Sequence, residues 1–215
     1  MLKKFLLFPV LLIVIFVCIN YSFLSFHLVS STTDSIASLS ILQSKNPKNG
    51  DLIFRRGVSL ESQIVLLSDG ESEYSHIGII YIINGKPFVI HSVPAESEIE
   101  NECIRLEVLE DFLSGDKASK FALYRFNNEL HDESQTAGSF AYDCYLHKYS
   151  FDNDYDLKSN TKLYCTELVW KAYKHAGVDL VENRYKRINF IMINKNMIMP
   201  SSLTESKLLK IIYSN

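Results

Sequence analysis

The chain has 215 residues, 47% of them hydrophobic and 22% charged, enough for one globular domain with a substantial core and too few for two of ordinary size. Residues 1–30 hold two of the 22 basic side chains and none of the 25 acidic ones, which leaves 20 against 25, a formal charge of −5, on the rest. With no basic stripe, nucleic acid is excluded as an expected partner.

Lys3 and Lys4 precede an apolar run from Phe5 to Ile19 that weakens toward Val29. As a helix, residues 5–26 reach roughly 30 Å, the thickness of a bilayer core, and Pro9 falls in the first turns, where a helix tolerates it. An uncleaved anchor over 1–29 is expected, with the lysines in the cytoplasm and the domain outside. The rivals are a cleaved signal, for which Ser22 and Ser25 are poorly placed among Phe23, Leu24 and Phe26, and lipidation at Cys18, which bulky Phe16 and Val17 disfavour. Residues 30–48, rich in Ser and Thr, read as a linker and 49–215 as the domain.

GDLIFRRG (50–57) reads as a strand and SLESQIVLLSD (59–69) as a helix, with Leu60, Ile64 and Leu67 at helical spacing. SHIGIIYIINGKPFVIHSV (75–93) is two apolar β-branched runs around Asn84-Gly85, whose positive φ values suit a type I′ hairpin turn. CIRLEV (103–108) predicts a strand, LEDFLSG a short helix, KFALYRF (120–126) a strand and 129–148 a helix with Phe140, Cys144 and His147 on one side. An Asp-rich loop (151–161) leads to the helix LYCTELVWKAYKHAG, which Gly177 ends as C′ residue. IMINKNMIMP and ESKLLKIIY stay open between strand and other states. Helices and strands mix without βαβ alternation, which predicts an α+β domain with a mainly antiparallel sheet.

A two-residue turn at Asn84-Gly85 makes opposed positions sum to 169, so His91 faces Gly78, and His76 and His91 become diagonal neighbours on one face. Gly78 has no side chain to separate them. Ile77, Ile79, Tyr81, Phe88 and Ile90 fall on the opposite face as a core, and Ile80, Ile82 and Val89 on the histidine face imply cover on both sides. A lone strand histidine is most often a packing residue; two across a glycine ask for more.

Cys165 precedes Leu168, Val169, Ala172 and Ala176 at helical offsets, which puts it on the buried side at the helix start. There the free N–H groups and helix dipole favour a thiolate, and an imidazole can supply the base for nucleophilic attack. Packing is the commoner fate of a buried cysteine. A metal held by Cys165, His76 and His91 lacks any supporting CxxC or HExxH spacing, so neither metal nor cofactor is expected. Cys103, Cys144 and Cys165 make an odd set outside the anchor, with a Cys103–Cys144 bridge open.

GDLIF, then SHIGII with a second polar residue ending the following strand, then YCTELVWKAY resemble, in that order over about Gly50 to Gly177, the YaeF/YiiX family of permuted papain-like amidases, relatives of the NlpC-type cell-wall hydrolases. The resemblance implies a circularly permuted papain-like domain, with Cys165 as nucleophile, His76 as general base and His91 as the residue orienting His76. The branch often carries a carboxylate at that third place, and Glu96 and Glu98 just beyond are substitutes for it. Asp51, Tyr164 and Glu167 lie in recurrent motifs of the family, as structural or substrate-pocket residues. The implied activity is amide or ester hydrolysis on envelope peptides or lipids; acyl transfer by the same thiol, or a cleft that binds without turnover, are the alternatives.

Overall fold

The computed structural model describes residues 38–94, 103–127, 132–190 and 193–215. The chain divides into two compact units, Met1–Ser40 and Ile41–Asn215, and the fold below is that of the second. The expected anchor, Glu96 and Glu98 lie outside the described residues; among those described, no helix is long and apolar enough to cross a membrane.

In chain order the elements are β1 (Leu52–Gly57), α1 (Leu60–Asp69), β2 (His76–Ile83), β3 (Lys86–Val93), β4 (Cys103–Val108), α2 (Leu109–Phe112), β5 (Ala118–Phe126), α3 (Glu133–Leu146), α4 (Cys165–His175), β6 (Lys186–Phe190), β7 (Ile193–Met197), α5 (Pro200–Thr204) and β8 (Leu209–Ser214). Six strands form one antiparallel sheet in the order β4-β3-β2-β1-β5-β8; β6 and β7 form a separate hairpin. The two segments left open by sequence are thus β7 and β8, the latter finishing the sheet beside β5. The result is a mixed α/β fold on an antiparallel sheet, as the pattern predicts.

Asn84 and Gly85 take φ of 50° and 78°, and the rungs run from Ile83–Lys86 to Ile79–Ile90, the predicted register. Ile77, Ile79 and Ile90 then meet Leu168, Val169 and Ala172 of α4 in the main core, all fully buried. Each such aliphatic side chain contributes about 1.5–3 kcal/mol, which is what fixes the sheet against α4. Ile80 and Val89, on the other face, are also fully buried, so the hairpin is covered on both sides.

Three points that the sequence left open are settled locally. Helix α1 forms, capped by Ser59, but its spaced Leu60, Ile64 and Leu67 point outward, 73%, 39% and 81% exposed, because Val65 and Asp69 turn in toward β6, β7 and α5. His147 is exposed at the end of α3 and not on its packed face, which carries Ala137, Ala141 and Cys144. Cys103, Cys144 and Cys165 are all free, so the open bridge is not made.

Candidate active site

Alternation along β1 and β2 sorts the site. Arg55 pairs with His76 and Ile53 with Gly78, so these residues share the sheet face opposite the Ile77 core. Across the hairpin, His76 Nε2 lies 2.9 Å from His91 Nδ1, with the rings 80° apart. A Cβ on Gly78 would fall 2.3 Å from Val89 Cγ1 and 3.1 Å from His91 Cβ, so only glycine lets the rings close this way. Phe112 of α2 covers them, its ring 5.8 Å from that of His76 and 5.0 Å from that of His91. The Arg55 guanidinium stacks at 4.3 Å on Phe112 and donates to its carbonyl at 2.8 Å.

Cys165 starts a helix on the opposite face, its thiol set against the N–H of Ile77, the residue after His76, and within the influence of Arg55. Ile80 N–H donates to Asp51 O at 2.7 Å and Gly50 N–H to Ile80 O at 2.9 Å, so even-numbered residues of β2 bond toward β1 and odd-numbered ones toward β3. The rungs to β3 end at Ile79, so Ile77 N–H has no β3 partner and points at the Cys165 thiol instead. Ser92 Oγ donates to Leu163 O and pins the approach segment to β3. Thr166 Oγ1 donates to Ile198 O at 2.6 Å, and Tyr164 Oη accepts from Ile198 N–H at 3.0 Å. Those anchors hold the first turn of α4 at the split between β2 and β3.

Both sides of the site rest uncharged. Burial pushes the Cys165 thiol up to about 11; the N–H groups of Thr166, Ile77 and Cys165 itself, and the Arg55 charge, pull the other way and do not win. Burial likewise holds His76 well below the ordinary imidazole value, helped by Arg55 and His91, and lowers His91. Cys165 and His76 each keep some exposed surface as residues, while their ionisable atoms sit deep enough for burial to govern them. Among the described residues no hydrogen bond joins Sγ to either ring.

Behind His91 stands Glu107 of β4, which pattern reading passed over. His91 Nε2 lies 3.2 Å from Glu107 Oε2, out of line for a straight N–H···O bond and with no other partner among the described residues. Burial alone would raise Glu107; His91 and Lys117, whose Nζ contacts Oε1, outweigh it and bring it down to about 2. With His91 neutral, Lys117 is the charge that keeps this carboxylate ionised. The signal for Glu107 was the alternation of CIRLEV, which sets Cys103, Arg105 and Glu107 on the His91 face; the rungs His91–Arg105 and Val89–Glu107 then make Glu107 a diagonal neighbour of His91. Arg55 was missed as well, although it sits in the GDLIFRRG strand.

The other candidates lie apart from the rings. Asp51 is buried ahead of β1, bonded by Arg125 Nε at 2.8 Å and Nη2 at 2.7 Å and by Lys48 N–H at 2.8 Å. Glu167 is fully buried under α4, where it accepts from Tyr164 N–H at 3.4 Å and pairs with Lys171 at 2.8 Å. Tyr164 is buried with its ring 5.4 Å from that of Tyr155, a loop residue close enough for Cys165 to affect its titration.

Residues 46–213 match the family model described as permuted papain-like amidase enzyme, YaeF/YiiX, C92 family. A curated relative, the uncharacterized protein YiiX of Escherichia coli (strain K12), is 29% identical over 131 residues, which are 60% of this chain and 59% of that protein, so the match spans less than two thirds of the relative. A solved structure, described as that of the metalloprotein yiiX from Escherichia coli O157:H7, has a TM-score of 0.64 at 21% identity over 79% of this chain and 98% of that one. At that identity the likeness speaks for the fold.

Proposed function

The chain belongs to the YaeF/YiiX family of permuted papain-like amidases, and from that premise we propose that it is a membrane-tethered cysteine hydrolase that cleaves amide or ester bonds through an acyl-Cys165 intermediate. The observation that carries this reading is a thiol at a helix start beside the N–H of Ile77, the residue that follows His76 in a hydrogen-bonded histidine pair.

In the proposed reaction His76 takes the thiol proton as Sγ attacks the carbonyl carbon, and the imidazolium then protonates the leaving amine or alcohol. The N–H groups of Cys165, Thr166 and Ile77 that crowd the sulfur are suited to receive the oxyanion. Water, deprotonated by His76, releases the acyl group. Because both partners rest neutral, proton transfer accompanies attack and does not precede it. The thiol–imidazole hydrogen bond forms when substrate seats, as such bonds commonly tighten only in the Michaelis complex.

The tether is the apolar run at residues 5–26, with the domain on the outer side of the membrane. Val58, Leu60, Ile64 and Leu67 expose apolar surface on the connection between Arg55 and His76, which favours a lipid amide or acyl ester over a wholly polar peptide.

A metal reading fits less well. Two imidazoles and a thiolate are zinc-type ligands, but tetrahedral bonds of about 2.0–2.1 Å set ligand nitrogens roughly 3.3 Å apart. His76 Nε2 and His91 Nδ1 face each other at 2.9 Å, a spacing for a shared proton. No cluster of three or more His, Cys, Asp or Glu side chains with ligating geometry occurs among the described residues.

The test is competition between Cys165 and the other thiols of the chain. Cys103 is partly exposed, and Cys144 is buried and pushed up to about 12. Full-length protein treated with p-nitrophenyl acetate is expected to gain an acetyl group on Cys165 by mass spectrometry, and His76→Ala is expected to slow that by about 10²–10⁴-fold. Equal modification of Cys103 and Cys165 with no dependence on His76 would leave a binding module. Transfer of the acyl group to an added amine or alcohol in preference to water would make it an acyltransferase.

A further inference from the structure

We infer that Glu107 is a positioning residue that fixes the tautomers of both histidines, so that the free lone pair of His76 is on Nδ1. The inference deepens the hydrolase reading and rests on it for its purpose, though not for its test.

Glu107, held ionised by Lys117, has only lone pairs to offer. The atom facing it at 3.2 Å is His91 Nε2, which is buried and has no other partner among the described residues. A bare ring nitrogen there would set lone pair against carboxylate in a poorly solvated place, so Nε2 carries the hydrogen, even through a bent bond. Because burial keeps His91 neutral, its single hydrogen is then spent and Nδ1 is an acceptor. Nδ1 lies 2.9 Å from His76 Nε2, so that nitrogen must be the donor. His76 is neutral as well, and its Nδ1 is left with the lone pair that can take a proton from Cys165.

Without Glu107 the direction of both bonds is unfixed. Reversing them costs little, since the His76–His91 pair is equally well bonded with the hydrogen on His91 Nδ1. In the reversed state His76 carries its hydrogen on Nδ1 and cannot act as a base toward the thiol. Glu107 therefore converts a symmetric histidine pair into a directed one. Its charge also favours the imidazolium that forms on His76 during attack, relayed through His91.

Full-length protein with ¹⁵N-labelled histidine, in detergent micelles at pH 8, gives the direct readout. The ring nitrogens of His76 and His91 are assigned by loss of signal in His76→Gln and His91→Gln, and both rings are expected to be protonated at Nε2. Glu107→Ala is expected to mix the tautomers and to slow Cys165 acetylation by about tenfold or more, a part of the 10²–10⁴ that a general base supplies. For a turned-over ester the loss falls on kcat, with KM little changed. Glu107→Gln keeps the volume and an acceptor oxygen, so it restores most of the Nε2–H population and of the rate, and it guards against a misfolded alanine variant. Wild-type rings protonated at Nδ1 overturn the inference, as does an alanine variant with unchanged tautomers and rate. Correct tautomers with no acylation of Cys165 at all would sink the hydrolase reading and leave the positioning by Glu107 standing.

Discussion

The two ends of the β1–β2 ladder both bury ionisable groups, and they manage the cost in opposite ways. At the Asp51 end a buried carboxylate keeps its charge because Arg125 grips it with two nitrogens and the Lys48 N–H adds a third bond. Four residues on, roughly 13 Å along the strand, His76, His91 and Cys165 shed their charges, and one carboxylate behind His91 stays ionised at a partly exposed place. A fully paired charge is a fixture of the fold, whereas neutral groups in a chain of single hydrogen bonds can exchange a proton. That difference is what sets Asp51 apart from His76 in the proposed roles, a paired charge against a neutral group in a proton chain.

The comparison breaks most visibly at Arg125. Arg125→Ala leaves Asp51 buried without its counter-ion, and losing one partner of such a pair costs about 3–5 kcal/mol. Burial already pushes Asp51 up against the pull of Arg125, and the variant removes that pull. The expected result is a large drop in melting temperature with Cys165 acetylation unchanged per folded molecule. A fall in acetylation at equal folded fraction would place Asp51 in the substrate pocket. Gly78→Ala strikes the other end: overpacking against Val89 and His91 costs about 1–3 kcal/mol, and it parts the two rings. Here acetylation is expected to fall far more than stability.

How much of this was legible follows from distance along the chain. The hairpin was readable because a two-residue turn fixes its register, and one alternation rule then places His76, His91 and Gly78 together. The helix start at Cys165 was readable from its apolar spacing. Glu107 was not, because the sequence PAESEIENE between the two strands carries no turn signal, and without a register β4 offers no reason to prefer Glu107 over Arg105. The outward stripe of α1 was not legible for a related reason: spacing shows that a helix has an apolar side, and only neighbours decide whether it is covered. The split between β2 and β3 that admits Cys165 depends on Ser92 holding Leu163, a pairing 71 positions apart.

The smallest effect is also the most discriminating, because it concerns charge alone. His76 and His91 are bases held below the ordinary value of 6.5, so the unfolded chain binds their protons first; the stability they lend is complete above about pH 6.5 and is lost as pH falls toward their folded values. Glu167 opposes them. Burial raises it from 4.5 to about 7, so between those values the folded chain holds the extra proton and gains stability as pH falls. Two histidines against one carboxyl favour a net loss of stability on acidification below about pH 6.5. Urea melts of the full-length protein from pH 8 to pH 5 are expected to show that decline. Glu167→Gln removes the opposing group and steepens the decline below pH 6. His91→Gln removes one of the two driving it and flattens the profile. A profile that stays level in wild type and in both variants would mean the rings are charged in the folded protein, and the neutral proton chain would have to be given up.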